Sequence, residues 1–130
     1  MAISFFVNWP LSWSSTSIAA STITNTSSAT TAAISNDSKY ATEVAVTVAY
    51  GGTASEGIKW YILRDSDAGY EAAVDNGWAG QLAATVSTTH RRTITVPASS
   101  ISRFKVHLIN NSGASVTATV TYQQAVFEQG

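Results

Sequence analysis

The stretch that decides the fold is 42-TEVAVTVAYGGTASEGIKWYILRD-65. Val44, Val46, Val48 and Tyr50 alternate with Glu43, Ala45, Thr47 and Ala49, and a period of two marks a strand with one buried face. Gly51, Gly52 and Gly57 bracket a loop. The next strand spans Ile58–Arg64, with Ile58, Trp60 and Ile62 on one face and Lys59, Tyr61 and Leu63 on the other. Bulk on both faces predicts a central strand or one covered on both sides. Asp65–Gly69 reads as a turn.

Downstream, 103-RFKVHLINNSGASVTATVTY-122 repeats the pattern. Phe104, Val106 and Leu108 alternate with Arg103, Lys105 and His107, and Val116, Ala118, Val120 and Tyr122 alternate with threonines. Asn110-Asn111-Ser112-Gly113-Ala114 is turn chemistry, so Arg103–Asn110 and Val116–Tyr122 are expected to form a hairpin. Further strands are expected over Leu82–Ser87 and over Arg91–Val96, the latter ended by Pro97. Residues 70–82 lack clean periodicity and read as a long loop around Trp78 with a short strand or a helical turn. Upstream, Thr and Ile favour strands over Ile18–Thr24 and Thr30–Ser35, with a turn at Asn25–Ser28. The tail from Gln123 returns to an apolar Val126-Phe127 pair. About seven to nine short strands with regular turns predict an all-β protein, an antiparallel β-sandwich of jelly-roll-like form.

Composition bounds the function. A chain of 130 residues fits a single domain. Hydrophobic residues make up 45%, enough for a core, while only 12% are charged, about half the usual share, as on a surface that other subunits cover or on a β-protein kept soluble by Ser and Thr hydroxyls. A net charge of −1 gives no basic face for nucleic acid and no polybasic membrane signal. The absence of cysteine excludes disulfides and thiolate metal sites. The N-terminus lacks the basic n-region of a signal peptide, and no apolar run reaches the roughly 20 residues of a membrane span. Synthesis in the cytoplasm is the expectation.

No Lys, Arg, Asp or Glu precedes Asp37. Residues 1–16 read as an extended N-terminal arm in front of a sandwich domain over 17–130. Phe5, Phe6, Trp9 and Trp13 lie close together there, interrupted by Pro10, which disfavours helix or central strand. These aromatics either fold back on the domain's own core or dock on a neighbouring subunit. Trp78, the one loop tryptophan, either caps the core or binds a partner.

Polar groups give no complete constellation. Asp65-Ser66-Asp67-Ala68-Gly69-Tyr70-Glu71 looks like the front of a calcium loop, but Asn76 stands where the closing carboxylate belongs, which favours a hairpin turn. His90 and His107 have basic neighbours in sequence, which oppose a cation. His90-Arg91-Arg92 and Arg103-x-Lys105-x-His107 would form a basic patch if their strands were neighbours. No G-x-S-x-G elbow occurs. No catalytic, metal or cofactor-binding residue is assigned, and an enzyme is the least supported class. Sequons at Asn25, Asn36 and Asn110 matter only in a secreted eukaryotic protein.

The stretch from Glu43 to Tyr122, carried by VAVTVAYGGTASEGIKWYILRDSDAGYE and RFKVHLINNSGASVTATVTYQ, resembles small β-sandwich virion proteins of tailed bacteriophages. That resemblance implies a non-enzymatic structural protein of the virion: a capsid decoration (cement) protein, a homo-oligomer expected to be a trimer, whose partners are the major capsid protein or other virion subunits. Composition and loop position, rather than the resemblance, offer Phe5, Phe6, Trp9 and Trp13 of the arm and Trp78 as the partner-binding residues. The alternative is a tail, fibre or neck component with an adaptor role or a carbohydrate-binding role, the glycan lying against Trp78.

Overall fold

Valines at alternate positions of one strand need a second apolar surface to face, and the chain supplies it by building two sheets. The computed structural model describes residues 5–8, 15–66, 69–72, 78–99 and 101–129. Among the described residues all regular structure is β: β1 (Phe5–Asn8), β2 (Ser15–Ile23), β3 (Ser28–Thr30), β4 (Ile34–Ser35), β5 (Ala41–Ala49), β6 (Lys59–Ser66), β7 (Gly69–Tyr70), β8 (Ala79–Gln81), β9 (Thr89–Pro97), β10 (Arg103–Ile109) and β11 (Val116–Gln129). All pairings are antiparallel.

A five-stranded sheet runs β1/β2-β11-β5-β9, and a six-stranded sheet runs β3/β4-β10-β6-β7/β8. With the paired short strands counted as one position each, this is the jelly-roll order, in which nearly every connection passes from one sheet to the other. Between the sheets lies one core. Val44, Val46 and Val48 of β5, Val116, Ala118 and Val120 of β11, and Ile94 and Val96 of β9 meet Trp60 and Ile62 of β6 and Phe104, Val106 and Leu108 of β10. Each such side chain contributes about 1.5–3 kcal/mol on burial. β6 is central, as its two bulky faces predict, and Leu63 on its outer face is only 7% exposed.

The expected β10–β11 hairpin does not form. β10 pairs with β3, β4 and β6, whereas β11 pairs with β1, β2 and β5. In a hairpin the apolar rows of both strands would share one face of one sheet. Crossing over sets Phe104, Val106 and Leu108 opposite Val116, Ala118 and Val120 instead. The Asn-rich connection is therefore an arch. Asn110 is 0% exposed; its Nδ2 donates to the carbonyls of Ile23 (2.7 Å) and Ala114 (2.8 Å), and its Oδ1 accepts the Ser112 N–H (2.9 Å). Gly113 takes the left-handed φ of +95° that the arch needs and donates its N–H to Asn25 Oδ1 at 2.9 Å.

Other expectations shift locally. The strand after Trp78 is Ala79–Gln81, and Leu82–Ser87 is a loop ending in a turn at Ser87, whose φ is +55°. Leu82 is nevertheless core, because its N–H reaches the Ile58 carbonyl at 2.9 Å and its side chain enters the sandwich. Thr30–Ser35 divides into β3 and β4 around buried Thr31. There the Thr31 N–H donates to the Val106 carbonyl (2.9 Å) and its Oγ1 accepts the Val106 N–H (3.0 Å), so a side chain stands in for a missing rung of the ladder. The tail beyond Tyr122 continues β11 to Gln129.

The ends of the chain meet. β5 pairs with β11 as far as Ala125 and β2 pairs from Tyr122 back to Val116. β1 takes the remainder, with Phe5 opposite Gln129 and Asn8 opposite Val126. These eight residues form a two-stranded ribbon beyond the reach of both neighbours, and five of the eight are Phe or Val.

Candidate functional site

The sequence-derived partner residues fall in separate places. Phe5 and Phe6 lie in the terminal ribbon of the five-stranded sheet; Trp9 and Trp13 lie outside the described residues. Trp78 leads into β8 of the six-stranded sheet, is half-buried and packs against the core, while its carbonyl accepts the Ile62 N–H at 3.0 Å.

The basic patch does not assemble, because β9 and β10 belong to different sheets. β6 and β7 pair as a hairpin, and the carboxylates of Asp65 and Glu71 serve arginines. Glu71 Oε1 accepts from Arg64 Nη2 at 2.8 Å and from Nε at 3.1 Å, which holds the Glu71 carboxyl below its ordinary range. Asp65 Oδ2 lies 3.5 Å from Arg103 Nε. No group of three or more His, Asp or Glu among the described residues could hold a metal ion, and no helix there is long and apolar enough to cross a membrane. Two sequon asparagines, Asn36 and Asn110, are 2% and 0% exposed.

The outer face of the six-stranded sheet brings together residues the sequence alone did not connect. With Phe104, Val106 and Leu108 turned inward, Arg103, Lys105, His107 and Ile109 of β10 face outward. Register sets Lys105 opposite Leu63, His107 opposite Tyr61 and Ile109 opposite Lys59. Extending the middle row, Thr30 of β3 lies opposite His107 and Ala79 of β8 opposite Tyr61. The Tyr61 and His107 rings are 6.1 Å apart at 51°, and Thr30 Oγ1 is 2.6 Å from His107 Nδ1. Desolvation between these neighbours pushes the His107 pKa below its usual value, so the ring is neutral at pH 7. One row on, Lys105 Nζ stands 4.5 Å from the centre of the Tyr70 ring. Arg64 and Arg103 have carboxylate partners, whereas Lys59 and Lys105 form no ion pair among the described residues.

Elsewhere, an open depression of about 340 Å³ is lined by Lys39, Tyr40, Pro97, Ala98 and Ser99, with Tyr40 47% exposed. Tyr50 is buried; its hydroxyl accepts the Ile58 N–H at 3.0 Å and so closes the Gly51–Gly57 loop.

Neither a protein-family model nor a curated protein sequence matches the chain. Solved structures do share its fold. Infectious bursal disease virus, Gt strain, contains a chain similar at a TM-score of 0.56 and 12% identity, over 95% of this chain and 32% of that one. The prophage-derived protein YomS of SPBc2 gives 0.47 at 10% identity over 96% of both chains. The C-terminal CBM6 of LamC, a laminarinase of Zobellia galactanivorans, gives 0.47 at 14% identity over 92% of this chain and 98% of that one. The chain thus spans about a third of the length of the viral chain it matches. At 12% identity the likeness to the viral chain is one of fold alone.

Proposed function

We propose that this chain is a non-enzymatic structural protein of a tailed-phage virion, a capsid decoration (cement) protein that bridges capsid subunits and associates with its own copies as a trimer. The observation that carries this reading is the terminal ribbon. A two-stranded ribbon is marginal in water by itself, yet this one pairs Phe5–Asn8 with Val126–Gln129 beyond the last rungs of β2 and β5. Its first strand belongs to a leading segment with no charged residue before Asp37, and its second carries one charge, Glu128. A neighbouring subunit would supply the surface that such a segment needs, and each aromatic buried there adds area worth a few kcal/mol before ordering costs. The low charge of the whole chain and the jelly-roll fold support the same reading.

Removal of residues 1–14 tests it, since β2 begins at Ser15 and keeps its strand. The truncated protein is expected to keep its circular dichroism spectrum and to lose binding to particles stripped of the native protein. Binding equal to that of the full chain would overturn the role given to the ribbon.

A further inference from the structure

We propose that the outer face of the six-stranded sheet binds an anionic polysaccharide, with its carboxylates at Lys59 and Lys105 and a sugar ring lying on the Tyr61–His107 row. This inference is independent of the virion reading and moves the glycan site away from Trp78.

Three observations combine. First, the row Thr30–His107–Tyr61–Ala79 crosses four strands with its two rings in the middle and two short side chains at the ends. A pyranose can approach the rings across Thr30 or Ala79 without displacing a large neighbour. Tyr61, Tyr70 and His107 are all partly exposed, and each couples an apolar ring to a polar edge, the combination that suits a sugar's C–H face and hydroxyls.

Second, the cations flank that row. Lys59 lies opposite Ile109, four positions along β10 from Lys105, with His107 midway. At a strand rise of about 3.4 Å per residue the two lysines stand about 14 Å apart along the sheet, the length of two to three pyranose rings.

Third, the face has a surplus of positive charge. Among the described residues Lys59, Lys105 and Arg103 are set against Asp65, which is taken by Arg103, and Glu56, whose Oε1 lies 3.5 Å from Gln81 Nε2 beside Lys59 without an ion pair to either lysine. Two lysines without a carboxylate partner, aligned beside aromatic rings, complement a chain of uronates better than a neutral glucan. An acidic protein segment would satisfy the lysines but makes no use of the ring row.

The test uses the full chain and affinity electrophoresis in gels containing polygalacturonate, alginate, neutral laminarin or poly-glutamate. Retardation is expected in the uronate polymers, and none in laminarin or poly-glutamate. Lys59→Gln with Lys105→Gln should weaken uronate binding by about tenfold or more, since hydrogen bonds to charged groups are the stronger kind. Both positions are partly exposed, and Lys105 gives up only its contact with the Tyr70 ring, so the melting temperature should fall by a few degrees at most. Tyr61→Leu should weaken binding while leaving the lysines in place. No retardation by either uronate would overturn the proposal, as would undiminished binding by the double lysine variant. Equal retardation by poly-glutamate would reassign the face to an acidic protein segment.

Discussion

Asn110 and Ile23, 87 positions apart in the chain, are joined by a 2.7 Å hydrogen bond from the Asn110 Nδ2 to the Ile23 carbonyl. The bond ties the arch between β10 and β11 to the end of β2, so the two sheets are closed at one end by a single buried amide. Two main-chain bonds reinforce it: the Asn110 N–H donates to the Ser27 carbonyl at 2.9 Å, and the Thr26 N–H donates to the Asn110 carbonyl at 2.7 Å.

Asn110→Leu should therefore be among the most damaging single changes. It would take the Asn110 partner from the Ile23 carbonyl and the Ser112 N–H, and leave the Ala114 carbonyl with the Ser112 hydroxyl alone. A loss of roughly 3 kcal/mol is expected, from about 1–3 kcal/mol for each buried group left unsatisfied after partial relaxation. Asn110→Asp should be no better, since a carboxylate cannot donate to either carbonyl. Urea denaturation of both variants measures this, and a shift below 1 kcal/mol would remove Asn110 from its central place.

Gly80 and Trp60 make the second prediction. Register sets them opposite each other, and a Cβ on Gly80 would stand 2.5 Å from Trp60 Cζ2. The indole is 4% exposed and packed on the core, so it cannot swing out. Gly80→Ala should cost about 1–3 kcal/mol through overpacking. Trp60→Phe removes the atoms that clash, so the double variant should lose clearly less than the sum of the two single losses. Strict additivity in a double-mutant cycle would show that the close approach is not what requires glycine.

Acid should weaken the fold in two steps. His107 has its pKa lowered by desolvation, so the unfolded chain binds its proton more readily than the folded one. The stability this gives is complete above the ordinary histidine pKa of about 6.5 and is lost as pH falls from there through the folded value. Glu71, lowered chiefly by its hydrogen bond from Arg64, behaves alike in a lower window, beginning near the ordinary carboxylate value. His107→Gln should flatten the first step and leave the second. Melting temperatures read from neutral pH downward will show it, and an unchanged first step in His107→Gln would contradict the assignment.

Much of this architecture was legible in the chain, and the boundary is a physical one. Alternation at Val44–Val48, Ile58–Ile62 and Phe104–Leu108 identified the inward faces correctly, because burial imposes a period of two whichever strand lies alongside. It could not say which strand that is. Asn110–Ala114 has the same turn chemistry whether the chain doubles back within a sheet or arches to the other one, and only the need to set two apolar faces together decides. Thr31 gave no signal, since its value as a substitute ladder rung exists only once Val106 is beside it.

The candidate site was less legible for the same reason. In the sequence Trp78 stands out as an aromatic in a loop, and its half-buried packing on the core is visible only in the fold. Tyr61 and His107 each looked like an outward residue of an ordinary strand. Their union in one row rests on the β6–β10 register, which joins positions far apart in sequence.

The proposed virion role is tested most directly by the copy number of this protein in purified particles, measured beside its oligomeric state in solution. A soluble trimer and a copy number that scales with the capsid lattice are predicted. A copy number matching a single ring or a few fibres, or absence from the particle, would contradict the decoration role.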